Sequence, residues 1–457
     1  MRKRPSRLTF QSRLDEMVGL LRSEIRSGRR ADGEFLPPEK EMAVQYRLSN
    51  QSVRKGLEVL VAEGLIEKIP RVGNKVTAPA PAGNVTVKLC YQNTIPGETG
   101  LSELLARFRT LYPHINVQEV VLPANTLDII TQYMDNGMLD VVTINQTLFR
   151  GLRETDNLDR LQPLEANPDV YPFLAEAFRA EGELLLQPFI FSPVVMCYNR
   201  EHFLDKQVPE PDSSWTWRHM LDLAARLEIP KERVSLAYLF YAINRFPLLF
   251  LQHGLTFDRD DSGKRRIDRS KISELLRLAR TLKEKFPILF DGSIRSDIET
   301  EQLFMQNKAS IILTTYFRLN SFKDAEIPFE LSPIPHMGDP RTLLVHIGLG
   351  INRKTEVQEA ARTLVKFLTS YETQLAIRRN TYSLPALKPA AEWVGKETLP
   401  RSPRFSMFRE IFPTLRTCDD LKISEADMEK LVWEMRMHMA GFDDEEQFCT
   451  RLEEQLM

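Results

Sequence analysis

Residues 36–76 constrain this chain more than any other stretch. Leu36-Pro37-Pro38-Glu39 opens one short helix, and Ser49-Asn50-Gln51-Ser52-Val53-Arg54 opens a second after the turn Arg47-Leu48. Glu63-Gly64-Leu65-Ile66 then leads into a basic ribbon ending Val72-Gly73-Asn74-Lys75-Val76. Upstream, Leu14, Met17, Val18, Leu21 and Ile25 recur at helical spacing, which predicts an amphipathic helix over 12–27 closed by Gly28. Three helices with a tight turn and a hairpin form a winged helix-turn-helix, an α domain with a small β wing.

The third helix shows what such a head can touch. Val53, Leu57, Leu60 and Val61 form its buried stripe, and Ser49 is placed as its N-cap. Asn50, Gln51, Ser52, Arg54 and Lys55 are then left outward, and these groups can read base edges in a major groove. Lys40, Lys68, Arg71, Gly73 and Lys75 supply backbone-facing positions, and the helix start favours phosphate. Double-stranded DNA is the expected partner. Leu36, Pro37, Glu39, Ala43, Ser49, Val53, Arg54, Leu57, Leu60, Glu63, Gly64, Leu65, Ile66, Gly73 and Val76 also stand in the register of the GntR family of bacterial transcription regulators. Residues 10–77 resemble that family, with Pro38, Asn50 and Arg71 departing from its usual Ser, Arg and Gly. The resemblance implies an operator-binding head, and Asn50 implies a preference for adenine where Arg would prefer guanine.

The chain has 457 residues and a net charge of −2. Residues 1–77 carry a net +6 and the remainder −8, so a basic head sits on an acidic body. Ordinary surface charge alone could give the same asymmetry. Arg2, Lys3 and Arg4 are followed by no apolar run of export-signal length, and no stretch approaches the ~18 apolar residues of a membrane span. Cys90, Cys197, Cys418 and Cys449 have no Cys-x-x-Cys spacing and read as buried thiols of a reducing compartment. A cytoplasmic protein without membrane contact is expected.

Ala78-Pro79-Ala80-Pro81-Ala82-Gly83 is a Pro-rich joint, spanning roughly 19 Å at ~3.1 Å per residue. The expected domains are 1–77, a linker at 78–84, and a body at 85–457. Val85, Val87, Leu89 and Tyr91 alternate as a strand, Leu101 to Leu111 reads as a helix, and Ile115 to Val121 as a second strand. Another short helix ends at Asn136-Gly137, and Asp140 to Ile144 is a third strand. That order implies a parallel sheet with right-handed crossovers, whose ligands lie beyond the strands' carboxyl ends.

Further motifs follow in order. They are Phe108-x-x-x-Tyr112-Pro113-x-Ile115-x-Val117, Leu186-Gln187-Pro188, Tyr198-Asn199-Arg200-Glu201-His202-Phe203, and Trp215-Thr216-Trp217 after Pro209 and Pro211. After these come Phe304 to Ser310, Leu331-Ser332-Pro333-Ile334-Pro335, Glu359-Ala360-Ala361 with Phe367-Leu368, and Leu384-Pro385. The series over about 84–400 resembles the family 1 solute-binding proteins that serve ABC importers of sugars. That resemblance implies a two-lobed α/β body, periplasmic-binding-protein-like of type II, with a small ligand in the interlobe cleft. The crossings are expected near 187–198 and 312–335.

Sugars offer hydroxyls and apolar faces, so their sites combine planar polar groups with aromatic platforms. Gln92, Asn93, Asn145 and Gln146, just past strand ends, rank first. Tyr316 and Phe317 follow the strand-like Ser310 to Thr314. Tyr198, Trp215, Tyr241, Asn244, Arg318 and His346 complete the candidates. Trp217, with Met220, Leu221, Ala224 and Leu227 at helical spacing, reads as core, and Tyr198-Asn199 as a helix cap. Leu431, Val432, Met435 and Met439 form a further apolar stripe that reads as core.

Gly348-x-Gly350 is half a phosphate loop, the histidines lack metal-ligand spacing, and no Gly-x-Ser-x-Gly elbow occurs. No cofactor, metal or catalytic residue is expected. One alternative body is a pyridoxal-phosphate aminotransferase-like domain, which Asn167-Pro168 and Tyr171-Pro172 superficially suit, yet the segment supplying a Schiff-base lysine is missing. Another is a body that docks a protein. The combined reading is a homodimeric, sugar-responsive transcription regulator, with repression of carbohydrate uptake or utilisation genes as the expected sense.

Overall fold

A computed structural model of the chain describes residues 7–26, 30, 32–70, 72–77, 85–122, 127–261, 265–396, 398–399 and 404–456. Gly28, Arg71 and the Pro-rich joint at 78–84 lie outside these residues.

The head contains α1 (Arg7–Arg26), α2 (Glu39–Gln45), α3 (Asn50–Ala62), β1 (Ile66–Ile69) and β2 (Gly73–Val76). Ser49 is extended, and its hydroxyl accepts a hydrogen bond from the Ser52 backbone N–H at 3.2 Å, satisfying a donor at the start of α3. Gly64 ends α3 at φ 70°, a left-handed conformation that glycine takes without penalty. Met17, Leu21 and Ile25 of α1 pack with Met42, Val53, Leu57, Leu60 and Val76. Gly56 permits this approach, since a Cβ there would meet the Met17 methyl at 2.4 Å and Leu14 and Val18 at 2.9 Å. The wing is antiparallel, with Ile66 opposite Val76 and Ile69 opposite Gly73.

The body begins with β3 (Val85–Gln92), α4 (Ile95–Thr99), α5 (Leu101–Leu111), β4 (Ile115–Leu122), α6 (Leu127–Asp135), β5 (Val141–Asn145) and α7 (Gln146–Glu154). β3 pairs in parallel with both β4 and β5, as the strand–helix alternation requires. After α8 (Pro172–Ala177) and the short pair β6 (Arg179–Ala180) and β7 (Glu183–Leu184) comes β8 (Gln187–Asn199), buried along its whole length. Its first half lies antiparallel to β12 (Thr342–Ile351), and its second half lies antiparallel to β10 (Ala309–Thr315) and β11 (Phe329–Ser332). One strand thus belongs to two lobes, and it changes partners at Pro193–Val194. Proline lacks the N–H of a central ladder, so a partner change is where a buried strand tolerates it.

The second lobe holds α9 (Arg200–Asp205), α10 (Trp217–Ala224), β9 (Val234–Ala237), α11 (Pro247–Gln252), α12 (Arg269–Lys285) and α13 (Asp297–Met305) with β10 and β11. α14 (Gln358–Leu368), α15 (Tyr371–Asn380), β13 (Leu384–Pro385), α16 (Lys388–Ala391), β14 (Leu415–Arg416), α17 (Glu425–Met439) and α18 (Glu445–Gln455) complete the chain order. The main sheet runs β4-β3-β5-β12-β8-β10-β9.

The first expected crossing coincides with β8. The second does not fall at 312–335 as expected. β10 and β11 both pair with the second-lobe half of β8, whereas β12 pairs with β5 and the first-lobe half, so the chain returns over 333–341. Trp217, Met220, Leu221, Ala224 and Leu227 are buried, as are Leu431, Met435 and Met439 in the same core, so both stripes pack inward.

Candidate functional site

On the head, Lys40, Asn50, Gln51, Arg54, Lys55 and Lys68 are exposed, while Gly73 and Lys75 are half-buried on the wing. Ser49 is occupied as the cap of α3. Ser52 departs from the expected outward position. It is buried, its hydroxyl lies 2.5 Å from that of Ser49, and it shares the inward face with Val53. Arg54 is not a free cation: its guanidinium donates to the Glu39 carboxylate of α2 at 2.8 Å. That hydrogen bond holds Glu39 below the usual carboxylate range.

In the body, most expected ligand groups are engaged within their own lobe. Gln92 is buried; its amide donates to the Thr143 carbonyl at 2.9 Å and accepts from the Thr143 hydroxyl at 2.7 Å. Asn145 caps α7 by accepting from the Leu148 N–H at 2.9 Å, and Gln146 accepts from the His346 backbone N–H at 3.0 Å. His346 is buried against Phe178, ring centroids 4.7 Å apart, and burial lowers its pKa to about 4, leaving the ring neutral. Tyr198 is buried and donates to Glu210 at 2.8 Å, beside Asn199, which caps α9. Trp215 and Phe317 are in the core, and the Tyr316 hydroxyl donates to the Phe405 carbonyl at 2.9 Å. Gln92, Asn145, Gln146, Tyr198 and Tyr316 thus each have a backbone or side-chain partner nearby, as buried polar groups generally do, whereas His346 Nδ1 has none among the described residues. Asn93 is exposed. Tyr241 is half-buried beneath the Arg436 guanidinium, 4.1 Å from its ring centre. Asn244 is half-buried, and its side-chain oxygen has no partner among the described residues.

The structure brings together a different set. β3 ends in the first lobe and leads into α4, where Glu98 is 7% exposed. One Glu98 carboxyl oxygen is buried without a partner among the described residues, and burial raises its pKa to about 7. β10 ends in the second lobe and leads into the 3₁₀ turn Arg318–Phe322, which meets α4 across the lobe boundary. Arg318 lies within electrostatic reach of Glu98, but its guanidinium donates to Glu301 of α13, Nε to the two oxygens at 2.8 and 3.0 Å with Nη2 adding a third contact. Burial pushes Glu301 above the usual carboxylate range, and Arg318 opposes that push. Arg245, 2% exposed, donates to the carbonyls of Leu313 and Asn244 at 3.1 and 3.2 Å. Its Nη2 stands 3.8 Å from Asp297 and makes no hydrogen bond among the described residues.

The cluster therefore sits where strands of both lobes end, the usual ligand position of open α/β sheets. Arg318 and Asn244 were legible there from sequence; Glu98, Arg245, Asp297 and Glu301 were not. The available signal for Glu98 was its place six residues after a strand end, the same logic that selected Gln92 and Asn93. A surface depression of about 340 Å³ lies elsewhere, among Arg153, Glu154, Asp419, Lys422, Ile423 and Ser424.

Taken together, the parts define a DNA-binding regulator head fused to a body built like a solute-binding protein. The chain belongs to the family described as bacterial extracellular solute-binding protein, matched over residues 114–405, and residues 14–76 match the gntR family of bacterial regulatory proteins. Neither is an enzyme family. Over 63 residues the chain is 35% identical to the HTH-type transcriptional regulator SmoD of Agrobacterium fabrum (strain C58 / ATCC 33970), a match covering 14% of this chain and 27% of that protein. The chain thus spans about a quarter of the length of that curated relative. Among solved structures, the body resembles an ABC substrate-binding protein of Listeria monocytogenes in complex with cycloalternan, at 18% identity and TM-score 0.67, covering 81% of this chain and 97% of that one. It also resembles maltose-bound MalE3 of T. maritima, at 16% identity and TM-score 0.69, covering 81% and 98%. The maltotriose-bound binding protein of Thermus thermophilus aligns at 17% identity and TM-score 0.62, covering 80% and 97%. Among the described residues, no helix is long and apolar enough to cross a membrane.

Proposed function

We propose that this chain is a cytoplasmic transcription regulator that binds operator DNA through its head and a sugar or oligosaccharide through its interlobe cleft. The observation that carries the reading is the fusion itself: a groove-reading α3 with exposed Asn50, Gln51, Arg54 and Lys55 on the same chain as two lobes that share β8. The sugar-bound state of several fold relatives supports the ligand class. Two heads on a homodimer would read a two-fold operator. The proposed sense is repression of carbohydrate uptake or utilisation genes, relieved by the sugar.

A physical link between the head and the first lobe is available. Arg22 of α1 donates to Glu63 at 2.7 and 2.5 Å within the head, and it also hydrogen-bonds the side chain of Tyr112 at the end of α5 in the body. Tyr112 packs in a tilted arrangement against Phe108 of the first lobe, ring centroids 4.8 Å apart. A ligand changes DNA binding only through differential affinity for the two arrangements of this joint.

The test is selection of duplexes from a random pool by the full chain, followed by anisotropy titration of the selected duplex with and without maltotriose and other neutral sugars. The expected outcome is a two-fold-symmetric sequence whose affinity falls when the effective sugar is present. Recovery of no sequence would refute the operator role, and an affinity indifferent to every sugar would refute the sensing role.

A further inference from the structure

A buried polar atom without a partner is rare in native proteins, and each instance asks for an explanation. Three such atoms lie around Arg318 at the lobe boundary: one Glu98 carboxyl oxygen, the Asn244 side-chain oxygen and Arg245 Nη2, each unpartnered among the described residues, with Arg318 within electrostatic reach of both Glu98 and Arg245. Glu98 comes from the first lobe, and Asn244 and Arg245 come from the loop after β9 in the second. Glu98 and Arg245 are more than nine-tenths buried. A ligand seated between the lobes would meet two acceptors and one donor, the complement of a hydroxyl-bearing molecule.

Charge narrows the class. The cationic groups of the cluster are Arg245 and Arg318, and the anionic ones are Glu98, Asp297 and Glu301. Arg318 is already committed to Glu301 through three contacts, and Arg245 faces Asp297. No surplus positive charge is left for a phosphate or carboxylate: Asp297 and Glu301 already match the two arginines, and Glu98, which ionises near pH 7, would repel an anion once charged. Desolvating an unpaired anion here would be costly, whereas a neutral hydroxyl can donate to Glu98 and accept from Arg245.

We propose that the Glu98–Asn244–Arg245 cluster is the polar recognition centre of the body and selects a neutral, hydroxyl-rich ligand against sugar acids and sugar phosphates. This rests on the reading of the body as a sugar-responsive domain. It adds which residues recognise the ligand and which charge class they exclude.

The experiment is a thermal-shift series on the full chain with neutral probes (maltose, maltotriose, raffinose) and acidic ones (glucose 6-phosphate, gluconate, glucuronate). Glu98→Ala and Asn244→Ala are run in parallel, with far-UV circular dichroism confirming that each is folded. At least one neutral probe should raise Tm, its affinity falling tenfold or more in each variant, while the acidic probes leave Tm unchanged. An acidic probe that stabilises the chain more than the neutral ones would overturn the charge selection and leave the sugar-responsive reading standing. Neutral binding that survives unchanged in folded Glu98→Ala and Asn244→Ala would remove the cluster from recognition. If no probe of either class shifts Tm, the proposal and the reading beneath it both fall.

Discussion

Head and body treat their polar groups in opposite ways. On the head, Asn50, Gln51 and Lys55 stand in solvent, and the protein beneath them only orients the helix. In the body, Glu98, Arg245 and Glu301 are buried, and the fold itself carries their desolvation. A surface that meets a long polyanion can wait fully hydrated, since phosphate attraction reaches through solvent. A cleft that meets a small neutral molecule must hold its donors and acceptors rigidly and dry. The contrast predicts that substitutions in the body act on stability and those on the head act on DNA affinity.

The largest effect should come from Glu301→Ala. It removes the buried partner of Arg318, and breaking such a pair costs about 3 kcal/mol or more. Thermal denaturation should show a clear loss in the body while the head still binds duplex DNA. A variant as stable as the parent would make the pair dispensable.

Next is the pH response of Glu98. Burial raises its pKa from 4.5 to about 7, so the folded protein holds a proton that an exposed carboxyl would release. The stability it contributes is complete below the ordinary carboxylate range, declines as pH rises from 4.5 towards 7, and is constant above. Glu98→Gln stays neutral throughout. Its Tm should therefore gain on the parent between pH 5 and 8, and a constant difference would contradict the burial. The neutral His346 has the opposite sign, weakening the fold as pH falls from 6.5 towards 4, and it is common to both proteins.

Ser49→Ala should cost about 1 kcal/mol by removing the cap hydroxyl that accepts from the Ser52 N–H at the start of α3, read as a lower thermal midpoint of the head. The smallest effect is a gain. Glu39→Gln releases Arg54 from its ion pair and should tighten duplex binding a few-fold. Arg54→Ala should lower the slope of log affinity against log salt by roughly 0.9. If Glu39→Gln weakens binding instead, the Glu39–Arg54 pair positions the arginine for DNA.

Sequence made local structure legible, and tertiary partners decided the rest. The Ser49 cap, the positive-φ Gly64 and the parallel β3–β4–β5 unit each follow from neighbours a few residues apart. The pairing of Gln92 with Thr143, 51 positions away, does not, and it took up the polar group that strand-end logic ranked first. Glu98 was hidden for a similar reason. An acidic residue on a short helix looks like solvated surface until the turn after β10 covers it. The chain's return through 333–341 rather than 312–335 was likewise a matter of which half of β8 each later strand would join.

That shared strand has a mechanical consequence. At its change of partners, the Ser192 hydroxyl donates to the Pro193 carbonyl at 2.7 Å and accepts the Tyr316 N–H at 2.7 Å. A single oxygen thus works as a pin through the swivel: it ties the ribbon to the second lobe beside Pro193, which offers no N–H rung. Rocking of the two halves would pivot on that pin, so small changes at Ser192 would reset how easily the jaws shut.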